Sequence, residues 1–189
     1  GHGGARDGLS ISRNHGGPAY GSTPSDRSVM QAIADLKARG LKVLLYPFLM
    51  MDIPADNSLP DPYGGARQAA YPWRGRITAS PGGAPVNAEI EAFCGSAQPD
   101  DFTVAGGLPV YAGADEGYRR LVLHYAKLAA LSGGVNGFII GSELRGLTTL
   151  RDAAGNFPFV TALMRLAEDV REVVGPATAL TYGADWSEY

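Results

Sequence analysis

Carboxylates are the residues of this chain best placed to do chemistry, because several stand directly after apolar runs. Glu143 follows Gly137-Phe138-Ile139-Ile140-Gly141-Ser142. Asp52 follows the run from Leu41 to Met51, and Asp185 and Glu188 follow Ala179-Leu180-Thr181-Tyr182. A short apolar run bounded by glycines is the pattern of a buried strand. A charge placed just after such a strand points into the crevice at the strand ends, where α/β folds bind ligands. Paired carboxylates across a sugar cleft are the machinery of glycoside hydrolysis, and Glu143 is the leading candidate for the general acid. The competing reading pairs Glu143 with Arg145 or Arg13 as a brace of the rim. Asp185 then caps a helix, Glu188 is exposed, and Asp52 forms a turn before Ile53-Pro54. Trp73 and Trp186 can stack on sugar rings, helped by Tyr71, Tyr63 and Tyr20, or can pin loops to the scaffold. Arg74 and Arg76 flank Gly75 and can hold a hydroxyl or carboxylate, or an internal ion pair.

These residues need elements to position them. A helix opens at Thr23-Pro24 with Asp26 in its first turn, carries Val29, Ile33 and Leu36 at helical spacing, and stops at Gly40. A strand is predicted over Leu41 to Phe48, apolar on both faces as in a covered parallel sheet. Leu9-Ser10-Ile11-Ser12 is a shorter strand candidate. Prolines and glycines then concentrate in residues 54 to 114, so 50–114 reads as one long ordered insertion. Within it, Ala88 to Phe93 suggests a helix, and Phe102-Thr103-Val104 with Val110-Tyr111 suggests a hairpin. Asp115 or Glu116 opens the next helix, which Gly133-Gly134 ends. A strand over Asn136 to Ile140 precedes Glu143. Asn156 caps a helix with Pro158 in its first turn, and a last strand spans Ala179 to Tyr182.

The order (β)αβ–insertion–αβαβ implies parallel strands joined by right-handed crossovers. It fits an open doubly wound sheet or part of a (β/α)8 TIM-like barrel. No Gly-x-Gly-x-x-Gly stands at a strand–helix junction, which counts against a nucleotide-binding open sheet. Four strands fall short of the eight of a barrel. The expectation is therefore one α/β domain over 1–189, a partial TIM-like barrel. Its insertion lies at the C-terminal face, where Asp52, Glu143, Asp185 and Glu188 converge.

Composition narrows the function. The chain has 189 residues, 45% of them apolar, with a net charge of −3 and no basic stripe, so nucleic acid is not an expected partner. The run Leu41 to Met51 is interrupted by Lys42 and Pro47 and is too short to insert in a membrane. Cys94 is the single cysteine, and His2, His15 and His124 lack ligand spacing, so no metal and no cofactor are expected. His124 falls within a helical pattern. Gly141-Ser142-Glu143 is not a nucleophile elbow, since the second glycine is missing.

The stretch Gly137-Phe138-Ile139-Ile140-Gly141-Ser142-Glu143-Leu144-Arg145-Gly146-Leu147-Thr148 resembles the TIM-barrel-like domain of gene transfer agent and phage tail (host-specificity, baseplate hub) proteins. So do Ala34-Asp35-Leu36-Lys37-Ala38-Arg39-Gly40, Tyr46-Pro47-Phe48, Tyr71-Pro72-Trp73-Arg74-Gly75-Arg76-Ile77 and Ala184-Asp185-Trp186-Ser187-Glu188-Tyr189. That domain is similar to retaining O-glycoside hydrolases of the large barrel clan. The resemblance implies that Glu143 matches the acid/base after barrel strand four. The strands present would be two to five, with the nucleophile after strand seven lying beyond Tyr189. Ser142 stands where the clan usually has Asn, and Glu188 is not the nucleophile's equivalent. The resemblance thus implies action on, or binding of, cell-surface or cell-wall glycan by a phage-like particle. Asp52, Trp73, Arg74, Asp185, Trp186 and Glu188 would be substrate contacts, and other tail or baseplate proteins the partners. It equally admits a structural or receptor-binding tail module that kept the barrel and lost catalysis; a metabolic α/β enzyme is the third reading. Without the nucleophile after strand seven the isolated chain is expected to be inactive as a retaining hydrolase, and a half barrel leaves sheet edges open, so it is expected to self-associate.

Overall fold

The computed structural model describes residues 24–51, 53–80 and 85–188, together with the backbone of 5–6, 9–10, 13–14, 17–18 and 84. Leu9–Ser10 pairs antiparallel with Ala5–Arg6, and Arg13–Asn14 with Gly17–Pro18. The rest of the strand candidate, Ile11 and Ser12, lies outside the described residues, as do Thr23 and Asp52.

Helix α1 (Asp26–Ala38) is capped by the Ser25 side chain, which accepts from the Ser28 amide, so the cap stands two residues beyond the predicted Thr23. Strand β1 (Leu44–Leu45) is much shorter than the apolar run that announced it. The reason is position. In the three-stranded parallel sheet β1 lies at an edge beside β4 (Gly137–Ser142), with β5 (Ala179–Gly183) on the other side of β4. Leu41, Leu44 and Phe48 are 52%, 59% and 48% exposed, so this run is not covered on both faces as its composition suggested. Central β4 is more deeply covered: Phe138 is fully buried, Ile140 on the same face is 7% exposed, and Ile139 on the other face is half-buried.

The helices supply the cover. Between β1 and β4 run α2 (Ala84–Cys94), the hairpin β2 (Phe102–Ala105) with β3 (Leu108–Tyr111), and α3 (Tyr118–Leu131). A short α4 (Arg145–Thr148) and the long α5 (Pro158–Val174) connect β4 to β5. One apolar cluster joins Phe138 and Ile140 to Val122, Leu123 and Ala126 of α3 and to Phe159, Leu163, Leu166 and Val170 of α5. Val122 of α3 and Leu163, Leu166 and Val170 of α5 stand at the helical spacing that made these helices legible in the sequence. Asn136 ties the strands at their start, accepting from the Val43 amide at 2.8 Å. His124 is fully buried, with Nε2 2.9 Å from the Asp26 carboxylate, and so links α3 to the start of α1.

The result is a mixed α/β unit with parallel strands in the order of successive βα repeats. Among the described residues the three parallel strands do not close into a barrel. Among the described residues no helix is long and apolar enough to cross a membrane.

Gly141 shows how tightly α3 meets β4. The Tyr118 hydroxyl donates to the Ile140 carbonyl at 2.7 Å and occupies the space where a Cβ on Gly141 would sit. Gly141→Ala should cost about 1–3 kcal/mol by overpacking. Combined with Tyr118→Phe, which removes the obstructing hydroxyl, the double variant should lose less stability than the two single losses added. Strict additivity in thermal or denaturant unfolding would contradict the contact.

Candidate functional site at the strand ends

Strand β4 ends irregularly. Its register with β5 shifts between Ile139 and Ser142, as a β-bulge does, and bulges beside sites re-aim the next side chain. Glu143 follows with φ of 53°, a left-handed conformation that costs a non-glycine residue about 1 kcal/mol or more. Two bonds hold it there. The Glu143 amide donates to the Gly183 carbonyl at 2.9 Å, and the Leu144 amide donates to the Tyr182 hydroxyl at 2.8 Å.

The side chain of Glu143 is gripped by the insertion. Trp73 Nε1 donates to Oε2 at 2.6 Å, and Arg74 Nη2 lies 3.0 Å from the same oxygen. Oε1 has no hydrogen-bonding partner among the described residues, and the side chain keeps 36% of its exposure. Of the alternative partners weighed from sequence, Arg145 Nε donates to the Ser187 carbonyl, and the Arg13 side chain lies outside the described residues.

Arg74 is 7% exposed, and its Nε and Nη2 donors are occupied inside the protein. Nε donates to the Ser142 carbonyl at 3.1 Å and to its Oγ at 3.2 Å, and Nη2 donates to the Tyr46 hydroxyl at 3.2 Å. The guanidinium lies 3.8 Å over the Phe48 ring, a cation–π contact. Tyr46 and Ser142 also share a hydrogen bond. Arg74, expected among the substrate contacts, touches Glu143.

The turn Arg74–Arg76 is a 3-10 helix seated on α4. A Cβ on Gly146 would strike the Ile77 and Gly75 carbonyls, and one on Gly75 would strike the Trp73 ring. Thr78 donates to the Gly146 carbonyl at 2.9 Å, and Arg76 pairs with Asp61 at 3.2 Å. Close glycine approach therefore sets where Trp73 stands. Its ring is 40% exposed beside Glu143, as a stacking platform must be.

The two carboxylates after β5 work differently. Glu188 accepts from the Tyr182 hydroxyl at 2.9 Å, from Thr148 at 2.8 Å and from the Asp185 amide at 2.8 Å. It braces the loop that carries Glu143 and does not sit free. Burial, with the Glu188 carboxylate beside it, pushes the Tyr182 phenol well above its ordinary pKa, so this group stays a neutral hydrogen-bond donor. Asp185 accepts from the Ser187 amide at 2.9 Å and from its hydroxyl. The Ser187 hydroxyl and amide hold the Asp185 carboxyl below its usual range. Trp186 projects from this turn at 79% exposure, with no hydrogen bond or ring contact to Glu143 or Trp73 among the described residues. Asp52 is outside the described residues. The site as built thus joins Glu143, Trp73 and Arg74, with Glu188 behind and Asp185 and Trp186 on the rim. Among the described residues no group of three His, Cys, Asp or Glu side chains could hold a metal ion.

Tyr46, Phe48 and Tyr182 were not singled out as site residues from sequence. Tyr46 stands just past the β1 pattern and before Pro47, at the same strand end as Asp52, and that placement was the available signal.

Two outcomes check this geometry. In a Trp186→Phe background, which leaves Trp73 as the sole tryptophan, Gly75→Ala should displace the ring and red-shift its emission. An unchanged spectrum would contradict the packing. Ser187→Ala should raise the Asp185 pKa toward the ordinary carboxylate value by NMR titration. A depressed folded-state pKa contributes stability above the unfolded-state pKa and loses it as pH falls through the folded value. The Ser187→Ala protein should therefore lose less stability on acidification than the parent.

No curated protein matches the chain. The family match covers α3, β4, Glu143 and the β5 turn but not Trp73 or Arg74: residues 116–189 match the model of the GTA TIM-barrel-like domain, the gene transfer agent family that the sequence resembles.

Proposed function

We propose that this chain is a glycoside-hydrolase-like module of a gene-transfer-agent or phage-tail particle and that it engages cell-envelope glycan at Glu143. One observation carries the reading. Glu143 is held in a left-handed conformation at the end of the central strand, its side chain 36% exposed, and among the described residues it is bound through Oε2 and not Oε1. Backbone strain of this kind persists where surrounding structure over-determines it, which is common at ligand sites. Trp73, whose indole N–H bonds Oε2 of the same carboxylate, is 40% exposed, and Trp186, after β5, is 79% exposed. Oε1 is the atom that would meet a glycosidic oxygen or a sugar hydroxyl. In the catalytic version of the reading, it gives a proton to the leaving oxygen while a second carboxylate, outside this chain's described site, attacks the anomeric carbon.

A second reading has its own observation. Ser142 Oγ faces Tyr46 and Arg74, is 6% exposed, and so does not present the side chain that the clan's Asn gives to sugar. A tail module that binds glycan and does not cleave it fits that arrangement.

The test is release of reducing ends from purified envelope polysaccharide by the whole protein that carries this chain. Glu143→Gln should lower the rate by about 10²-fold or more. Undiminished turnover in that variant would sink the acid role. Binding of the polysaccharide without turnover by the unmutated protein would decide for the second reading.

A further inference from the structure

Arginine and carboxylate ordinarily meet with two parallel hydrogen bonds, one to each oxygen. Arg74 and Glu143 do not. Nη2 reaches Oε2 at 3.0 Å, and Oε1 receives nothing among the described residues. What prevents the fork-to-fork pair is visible around the guanidinium. Nε is engaged by the Ser142 carbonyl at 3.1 Å and Oγ at 3.2 Å. Nη2 is shared with the Tyr46 hydroxyl at 3.2 Å, and the flat face is pinned at 3.8 Å on Phe48. Tyr46 and Ser142 are hydrogen-bonded to each other, so one hydroxyl proton lies between two oxygens that both accept from Arg74. The guanidinium is therefore held on the side of the strand ends and cannot swing square onto the carboxylate.

We infer that Tyr46 is a positioning residue that restrains Arg74 to a one-oxygen grip on Glu143 and so keeps Oε1 available to ligand. The inference rests on Glu143 being the group that meets glycan, as proposed above. Tyr46 touches neither substrate nor the reacting atoms; it acts through Arg74. Loss of its hydroxyl leaves a buried guanidinium donor without its acceptor, which is costly. The relief available is rotation onto Glu143, which fills Oε1 and pushes on the Trp73 hydrogen bond at Oε2. Lysine at position 74 cannot form the fork, so it should undo the harm done by losing Tyr46.

The experiment has two arms on the full chain and on the whole protein. In a 15N-labelled Trp186→Phe chain, the remaining indole N–H resonance belongs to Trp73 and reports its bond to Glu143. Tyr46→Phe should shift that resonance upfield, and Tyr46→Phe with Arg74→Lys should bring it back toward its starting position. Ser142→Ala should move it the same way by less, and it serves if Tyr46→Phe does not fold. In turnover of envelope polysaccharide, Tyr46→Phe should reduce kcat by about 10-fold with KM within about twofold, and Arg74→Lys should recover part of that loss. An indole resonance that stays in place in both Tyr46→Phe and Ser142→Ala overturns the positioning role, as does lost stability without the kcat and KM split. If the unmutated protein turns over no polysaccharide, the proposed hydrolysis fails on its own, and the indole resonance still judges Tyr46.

Discussion

The pair between Arg74 and Glu143 is the constraint on which the rest of the site depends. It joins a residue of the long insertion to the end of the central strand, across 69 positions of chain. Arg74, at 7% exposure, must be answered by acceptors, and it finds them at three strand-end residues: Tyr46, Ser142 and Glu143. Removing one partner of such a pair is costly because the other is left behind in a poor solvent. That asymmetry fixes the insertion over the strand ends more firmly than its own secondary structure could. The insertion contributes only a 3-10 turn at that point.

The same pair explains why small residues lie where they do. Gly75 gives the Trp73 ring its place, and Gly146 lets the turn approach α4 closely enough for Thr78 to reach its carbonyl. On the opposite side, the bulge in β4 and the left-handed backbone at Glu143 are secured from β5 by Gly183, Tyr182 and, behind Tyr182, Glu188. The carboxylate is thus positioned from two directions, and neither direction uses its outer oxygen. A fold that orders a part-exposed carboxylate this elaborately is suited to recognising a hydroxyl-rich ligand.

Much of the scaffold was legible in the sequence because periodicity reports burial. Leu163, Leu166 and Val170 announced α5, and the run from Gly137 announced β4. The hairpin of Phe102–Ala105 with Leu108–Tyr111 was readable from two short β-prone segments around Gly106-Gly107. Leu41 to Phe48 misled because composition cannot tell a central strand from an edge; only two residues pair, and Leu44 is exposed. In the site, Glu143 was found by its place after a buried strand. Its partner was not, because Arg145 and Arg13 were the cations weighed beside it, and only the folded insertion brings Arg74 across. Glu188 and Asp185 looked equivalent to Glu143 by position, yet each is consumed by neighbours two to six residues away or by Thr148. Local hydrogen bonding of that kind leaves no mark on spacing.

The most direct measurement is a crystal structure of the protein with an oligosaccharide prepared from its target cell envelope. The expected result is a sugar oxygen within hydrogen-bond distance of Glu143 Oε1 and a ring face on Trp73, with Trp73 Nε1 and Arg74 Nη2 still on Oε2. An oligosaccharide bound away from Glu143, or Arg74 found across both oxygens of the carboxylate in the glycan complex, would contradict the central claim.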